Sequence, residues 1–259
     1  KLYQKLKKEG RVHDHPEYGY ELSDTMVLRI HAMLHRCLKD AEAAHVIARN
    51  PTDGAAVPKA NHRPKQILTK EQMDIFLAAV DRNEIWRDFF YTELTTGLRR
   101  GELLALLWSD LDPQNRSVSV TKSVSRLNGK LVVSQPKTQH SIRTLIVPQQ
   151  AVDLLIQEHS LHPNNPYLFP SPTTGTMYSP ETVARIHKRI LRDAGLEDCR
   201  FHDLRHTFAT IALGNGMDVK TLSAMLGHVS AATTLDIYTH AFDKNKKAAS
   251  QIMQSSLEI

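Results

Sequence analysis

Residues 117–135, SVSVTKSVSRLNGKLVVSQ, interrupt a sequence whose apolar residues otherwise recur at helical spacing. Val, Ser and Thr dominate the stretch, which suits a pleated, half-buried backbone. Asn128-Gly129 divides it where a type I′ turn needs two residues with positive φ. The reading is a strand over Ser117 to Leu127, a tight turn, and a second strand over Lys130 to Gln135. Pro136 to Ser141 then turn the chain again, and Ile142 to Val147 form a third strand. The expected fold is therefore mainly α with a small three-stranded antiparallel sheet, an α+β domain.

Working outward, the flanking segments read as helices. Thr69-Lys70-Glu71-Gln72 is a capping box, and Met73, Phe76, Leu77 and Val80 follow as one apolar face. Further helices are expected over 85–95, 99–108, 150–158, 180–194, 202–213, 219–226 and 231–238, with an amphipathic tail over 244–257. Near the start, Asp24 to Ile47 carries a stripe of Met26, Ile30, Met33, Leu34, Cys37, Leu38 and Ala41. Asn50-Pro51 ends that helix, and a proline-containing basic stretch follows. The division expected is a helical domain over 1–57, a linker over 58–66, and a second domain over 67–259 whose tail is 244–259.

The chain has 259 residues, 41% hydrophobic and 24% charged, as globular proteins have. The net charge of +5 makes an anionic partner plausible without demanding one. Cys37 and Cys199 form no metal-ligand pattern and read as reduced thiols of a cytoplasmic protein. No apolar run approaches the roughly 20 residues of a membrane helix, so no membrane partner is expected. The sequence opens at Lys1 without a methionine and reads as a piece of a longer protein.

Four stretches place reactive side chains beside residues that fix the backbone. They are Thr96-Gly97-Leu98-Arg99-Arg100-Gly101-Glu102, Pro136-Lys137-Thr138, His202-Asp203-Leu204-Arg205-His206, and Leu226-Gly227-His228 with Tyr238 ten residues on. Each has a plain structural reading on its own. Arg99 would pair with Glu102 one turn away, Lys137 would be a solvated turn lysine, His228 would face a helix end, and Tyr238 would be a core tyrosine. His202 and His206, four apart, could also hold a metal. Against that stand the short Asp203, the nearby positive charge of Arg205, and the lack of a third ligand, so no metal and no cofactor are expected.

Taken together, the residues suit metal-free phosphoryl transfer. In-line attack on a phosphodiester builds negative charge on its non-bridging oxygens, and fixed arginines can hold that charge. Arg99 and Arg205 would do so, with His228 donating to a non-bridging oxygen. Tyr238 would be the nucleophile, His202 would take its proton, and Lys137 would protonate the leaving oxygen. Glu102 would orient the cations.

This ordered set resembles the tyrosine recombinases, most closely the integrases of conjugative transposons and temperate phages. The family's order of Arg, Lys, His-x-x-Arg, His and Tyr is matched by Arg99, Lys137, His202 with Arg205, His228 and Tyr238, with Glu102 as the acidic residue of the first box. The match covers roughly 66–241. The resemblance implies a two-domain, C-shaped clamp on double-stranded DNA and strand exchange through a phosphotyrosine, for excision and integration of a mobile element. The active synapse would hold four protomers, each lending its tail, residues 244–259, to a neighbour. Residues 1–57 would be the later part of a core-binding domain, and an arm-binding domain usual in the family is not in this sequence. Arg29, Arg36 and Lys39 on the first helix, and Lys59, Arg63 and Lys65 in the linker, are the candidates for phosphate contact. A type IB topoisomerase-like nicking enzyme is the nearest alternative, and a catalytically silent DNA-binding regulator is another.

Overall fold

The computed structural model describes residues 1–59, 66–135, 141–197, 199–228, 232, 234 and 235. It divides into two compact units, Lys1–Pro64 and Lys65–Ile259.

The first unit holds α1 (Leu2–Glu9), which the sequence reading missed, and α2 (Asp24–Ala43). Ser23 caps α2 by accepting from the Met26 amide at 3.3 Å. The helix stops short of the expected Ile47 because His45 turns left-handed at φ 57° and the Val46 amide reaches back to the Ala41 carbonyl at 2.9 Å. No glycine marks that stop, so the sequence hides it. The apolar stripe of α2 is also covered only in part. Val27 is fully buried, whereas Met26, Met33 and Cys37 are exposed. Within the unit, α1 and the chain after α2 cover the other side: Tyr3 Oη meets His31 Nδ1 at 2.8 Å, and buried Asn50 donates to the His35 carbonyl at 3.2 Å.

The second unit is built from α3 (Lys70–Asp81), α4 (Glu84–Thr96), α5 (Arg100–Leu104), β1 (Leu111–Asp112), β2 (Ser117–Val120), β3 (Ser123–Leu127), β4 (Lys130–Ser134), β5 (Arg143–Ile146), α6 (Gln149–Ser160), α7 (Pro180–Asp193), α8 (Phe201–Gly214) and α9 (Val219–Leu226). Phe76 of α3, Phe90 of α4, Leu103 of α5, Leu145 of β5, Leu155 of α6 and Leu204 of α8 share one core. The Thr69–Gln72 capping box is present, with both reciprocal bonds made.

The sheet has a different membership from the one expected. The stretch 117–127 is two strands, because Lys122 turns aside to the Asp110 carboxylate at 2.7 Å. β2 pairs antiparallel with β1 and β5, while β3 and β4 form a separate hairpin. Asn128 and Gly129 take φ of 49° and 80°, both positive as a type I′ turn requires. β3 packs on α5 so closely that a Cβ on Gly101 would lie 2.5 Å from the Val124 carbonyl oxygen. That contact, made far from the hairpin's own sequence, detaches it from the sheet.

The expected helix over 99–108 is only α5. Its chain leaves at Leu104 because the next residues pair with the segment after α6: Leu168 donates to the Leu106 carbonyl and Trp108 to that of Pro166, at 3.0 and 2.9 Å. The helix expected over 231–238 and the tail over 244–257 lie almost wholly outside the described residues.

Candidate active site

The site starts at the end of α4. Gly97 takes φ 60°, a left-handed cap that turns the chain so that Leu98 enters the core and Arg99 begins α5. A side chain here would be strained twice, since its Cβ would fall 2.4 Å from the Phe208 ring.

Arg99 and Glu102 are locked by local geometry. The Arg99 amide donates to Glu102 Oε2 at 3.0 Å, and Arg99 Nη1 donates to Oε1 at 2.8 Å. Glu102 is almost fully buried, and burial alone would raise its pKa. Hydrogen bonds and charge from Arg143, then from Arg99, overcome that and hold it below the usual carboxylate value.

Arg143 was not among the residues expected at the site, and the structure puts it in the centre. It grips Glu102 with two bonds, Nη2 to Oε2 at 2.9 Å and Nη1 to Oε1 at 3.2 Å. A signal existed. Arg143 and Leu145 are two apart on β5 and share its inward face, and an inward arginine needs a carboxylate. Arg143 is the first residue of β5.

Arg205 comes from α8 and is 1% exposed. Its Nη1 donates to the Gly97 carbonyl at 2.6 Å and its Nη2 to that of Leu226 at 2.5 Å. Burial, then the charge of Arg99, push it down to about 9, so it stays charged at neutral pH.

The end of α9 ties these cations together. A helix leaves its last carbonyls without internal partners and carries partial negative charge there. Here Arg143 Nε takes the carbonyl of Met225 at 2.5 Å, Arg205 takes that of Leu226, and Arg99 Nη2 takes that of Gly227 at 3.1 Å. Three guanidiniums from three elements thus sit on three successive carbonyls. Gly227 closes the helix at φ 62°, and a Cβ on it would come within 3.0 Å of Arg143 Nη1.

His228 follows directly. Its Nδ1 meets Thr234 Oγ1 at 2.9 Å. Burial, then the charges of Arg205 and Arg99, lower its pKa to about 4. His202, on the first turn of α8, has its surface exposed, and its ring sits edge-on to His206 with centroids 4.9 Å apart. Surrounding protein, then Arg205 and Arg99, lower its pKa to about 4 as well. Asp203 does not point to metal chemistry: it is buried and held by Arg200 through Nε at 3.0 Å and Nη2 at 2.9 Å. Among the described residues, no group of three His, Cys, Asp or Glu side chains is arranged to hold a metal ion.

Both histidines are thus neutral at pH 7. The folded chain binds fewer protons than the unfolded chain between about 4 and 6.5. Their contribution to stability is therefore complete above 6.5 and is lost as pH falls through about 4. Histidine NMR of the DNA-free protein should give titration midpoints for His202 and His228 near 4. Midpoints at the ordinary value would remove the positive field that defines this site.

Lys137, Tyr238, Arg63 and Lys65 lie outside the described residues. Arg29, Lys39 and Lys59 are exposed, and Arg36 is exposed with a 3.0 Å pair to Asp40 one turn on. Such a surface pair is worth little and yields readily to another anion.

The phage integrase family matches this chain over residues 66–245. The ICEBs1 integrase of Bacillus subtilis (strain 168) is 30% identical over a 238-residue alignment that covers 87% of this chain and 64% of that protein. A XerC-like tyrosine recombinase of Caldanaerobacter subterraneus subsp. tengcongensis is 28% identical over 233 residues, 78% of this chain and 59% of its own length. The chain spans about three fifths of these curated relatives. A structure of the Tn1549 transposon integrase in complex with circular intermediate DNA superposes with a TM-score of 0.78 at 23% identity, covering 97% of this chain and 84% of that one. A lambda integrase tetramer bound to a Holliday junction gives 0.59 at 19% identity, covering 80% and 60%. The mainly helical fold with small antiparallel sheets is the fold of these proteins.

Proposed function

The chain belongs to the phage integrase family, and from that premise we propose that it is a site-specific DNA recombinase that cuts and rejoins strands through a phosphotyrosine. The observation that carries this reading is the convergence of Arg99 and Arg205 on neighbouring carbonyls of α9, directly before His228. Two charged forks held from behind are ready to receive the non-bridging oxygens of one phosphodiester.

Tyr238 forms a bond to phosphorus as the bond to the 5′-oxygen breaks. His202 takes the phenolic proton, and Lys137 gives one to the leaving oxygen. His228, with Nδ1 committed to Thr234, offers Nε2 to a phosphate oxygen. Glu102 keeps the Arg99 fork turned towards the site. The free 5′-hydroxyl then attacks a partner phosphotyrosine, so phosphodiester bonds are conserved and neither metal nor nucleotide is consumed.

The partners are double-stranded DNA and further copies of the chain. The first unit serves as a core-binding domain through Arg29, Arg36, Lys39 and Lys59, with Arg63 and Lys65 on the linker. Residues 67–259 are the catalytic domain, and 244–259 dock on a neighbouring protomer in a tetrameric synapse. The DNA in the Tn1549 integrase structure and the tetramer of lambda integrase support this, as does the ICEBs1 integrase for excision and integration of a mobile element. No helix among the described residues is long and apolar enough to cross a membrane, and the reaction belongs in the cytoplasm.

A pool of nicked duplexes of random sequence tests the proposal, because the nick lets the cleaved fragment diffuse away and traps the intermediate. A covalent protein–DNA adduct should survive denaturing electrophoresis and form equally in excess EDTA, and sequencing its DNA would identify the site read. No adduct from the pool, or loss of the adduct on chelation, would overturn the reading.

A further inference from the structure

Glu93 lies in the last turn of α4 and is fully buried. Neither carboxyl oxygen has a hydrogen-bond partner among the described residues. The hydroxyls nearest in sequence are spent on the helix itself, Thr92 on the Asp88 carbonyl at 2.7 Å and Thr96 on that of Thr92 at 2.5 Å. An apolar side chain would suit this place better, since two unsatisfied oxygens in a dry interior are costly.

Two charged groups act on Glu93 from the elements packed against α4: the Arg205 guanidinium of α8 and the Glu102 carboxylate of α5. Burial raises its pKa well above the usual carboxylate value, Arg205 opposes that rise, and Glu102 adds to it. The surrounding charge is unbalanced. Among the described residues, Glu102 pairs with both Arg99 and Arg143, whereas Arg205 donates to the Gly97 and Leu226 carbonyls and pairs with no carboxylate. A phosphodiester is monoanionic and would supply the missing negative charge at Arg205. Of the two carboxylates that act on Arg205 among the described residues, Glu102 is held by Arg99 and Arg143, which leaves Glu93.

We propose that Glu93 is a positioning residue acting through Arg205: it yields its proton more readily while the site is empty, and holds it more tightly once a phosphodiester takes over as counter-charge. The inference rests on the reading of this site as a phosphodiester-binding centre. Linkage fixes its sign. If the phosphodiester tightens the proton, the proton tightens the phosphodiester by the same factor. Ionised Glu93 competes with DNA for Arg205, so DNA is held less well as pH rises through the Glu93 midpoint.

The test uses the whole chain with carbon-13 in its glutamate carboxyls, the Glu93 signal being the one lost in Glu93→Gln. The Glu93 midpoint should rise by about one pH unit or more when a short duplex of mixed sequence is added, the effect of a charge gained or neutralised nearby. The second readout is adduct formation on the nicked-duplex pool across a pH series that spans the Glu93 midpoint found by NMR. The wild type should lose yield at the alkaline end, and Glu93→Gln, permanently neutral, should keep it. Glu93→Met removes both unpartnered oxygens and fills similar space, so it should fold at least as stably and share the Gln profile. An unmoved midpoint, or variant profiles that superimpose on the wild type, would sink the inference while adducts still form. Failure to form any adduct strikes first at the recombinase reading itself.

Discussion

Replacing Tyr238 with phenylalanine should abolish the covalent adduct while leaving duplex affinity within about twofold, because the change removes one oxygen and no charge. Affinity for duplex DNA comes mostly from phosphate contacts with lysine and arginine, and those are untouched. A phenol with a pKa near 10 needs a positive field and a base to attack at neutral pH. In the proposed reading the guanidiniums supply that field and the neutral imidazole of His202 is the base. The measurement is a nicked-duplex cleavage gel run beside a binding titration. An adduct that persisted in Tyr238→Phe would put the nucleophile elsewhere and leave the order of the other residues without a reaction to serve.

Arg99→Lys should cut the rate of adduct formation by about 2–4 kcal/mol, roughly 30- to 1,000-fold, in the range of losing one donor to a developing oxyanion. Arg99 spends Nη1 on Glu102 and Nη2 on the Gly227 carbonyl, yet 37% of its side chain remains exposed. Its planar fork can hold the protein and still present an edge to substrate. Lysine has one centre of charge, and Glu102 at its side would claim it. Single-turnover cleavage is the measurement, with the salt dependence of binding as the control that should not move. A near-normal rate would make Arg99 a helix-start arginine and no more.

Much of this was legible because it is local. The Thr69 capping box, the Asn128-Gly129 turn and the span of α9 all follow from neighbours within a few residues. The order of the candidate residues also announced a reaction before any geometry was known. What escaped depends on partners distant in the chain. The split of residues 117–127 is decided by Asp110 and α5, and the early end of α5 by the segment around Tyr167. Arg143 joins Glu102 from 41 positions away: alternation with Leu145 marks it as inward-facing, but nothing near it in sequence names the carboxylate it meets. Glu93 was hidden for another reason: on an amphipathic helix an acid reads as solvated until packing shows it sealed in.

The end of α9 also decides how the centre would fail. Because Met225, Leu226 and Gly227 each steady a different cation, fraying of that one turn would cut one hold on all three at once. Arg99 and Arg143 would stay clipped to Glu102 and Arg205 to the Gly97 carbonyl, so the cluster would slacken as a unit rather than scatter.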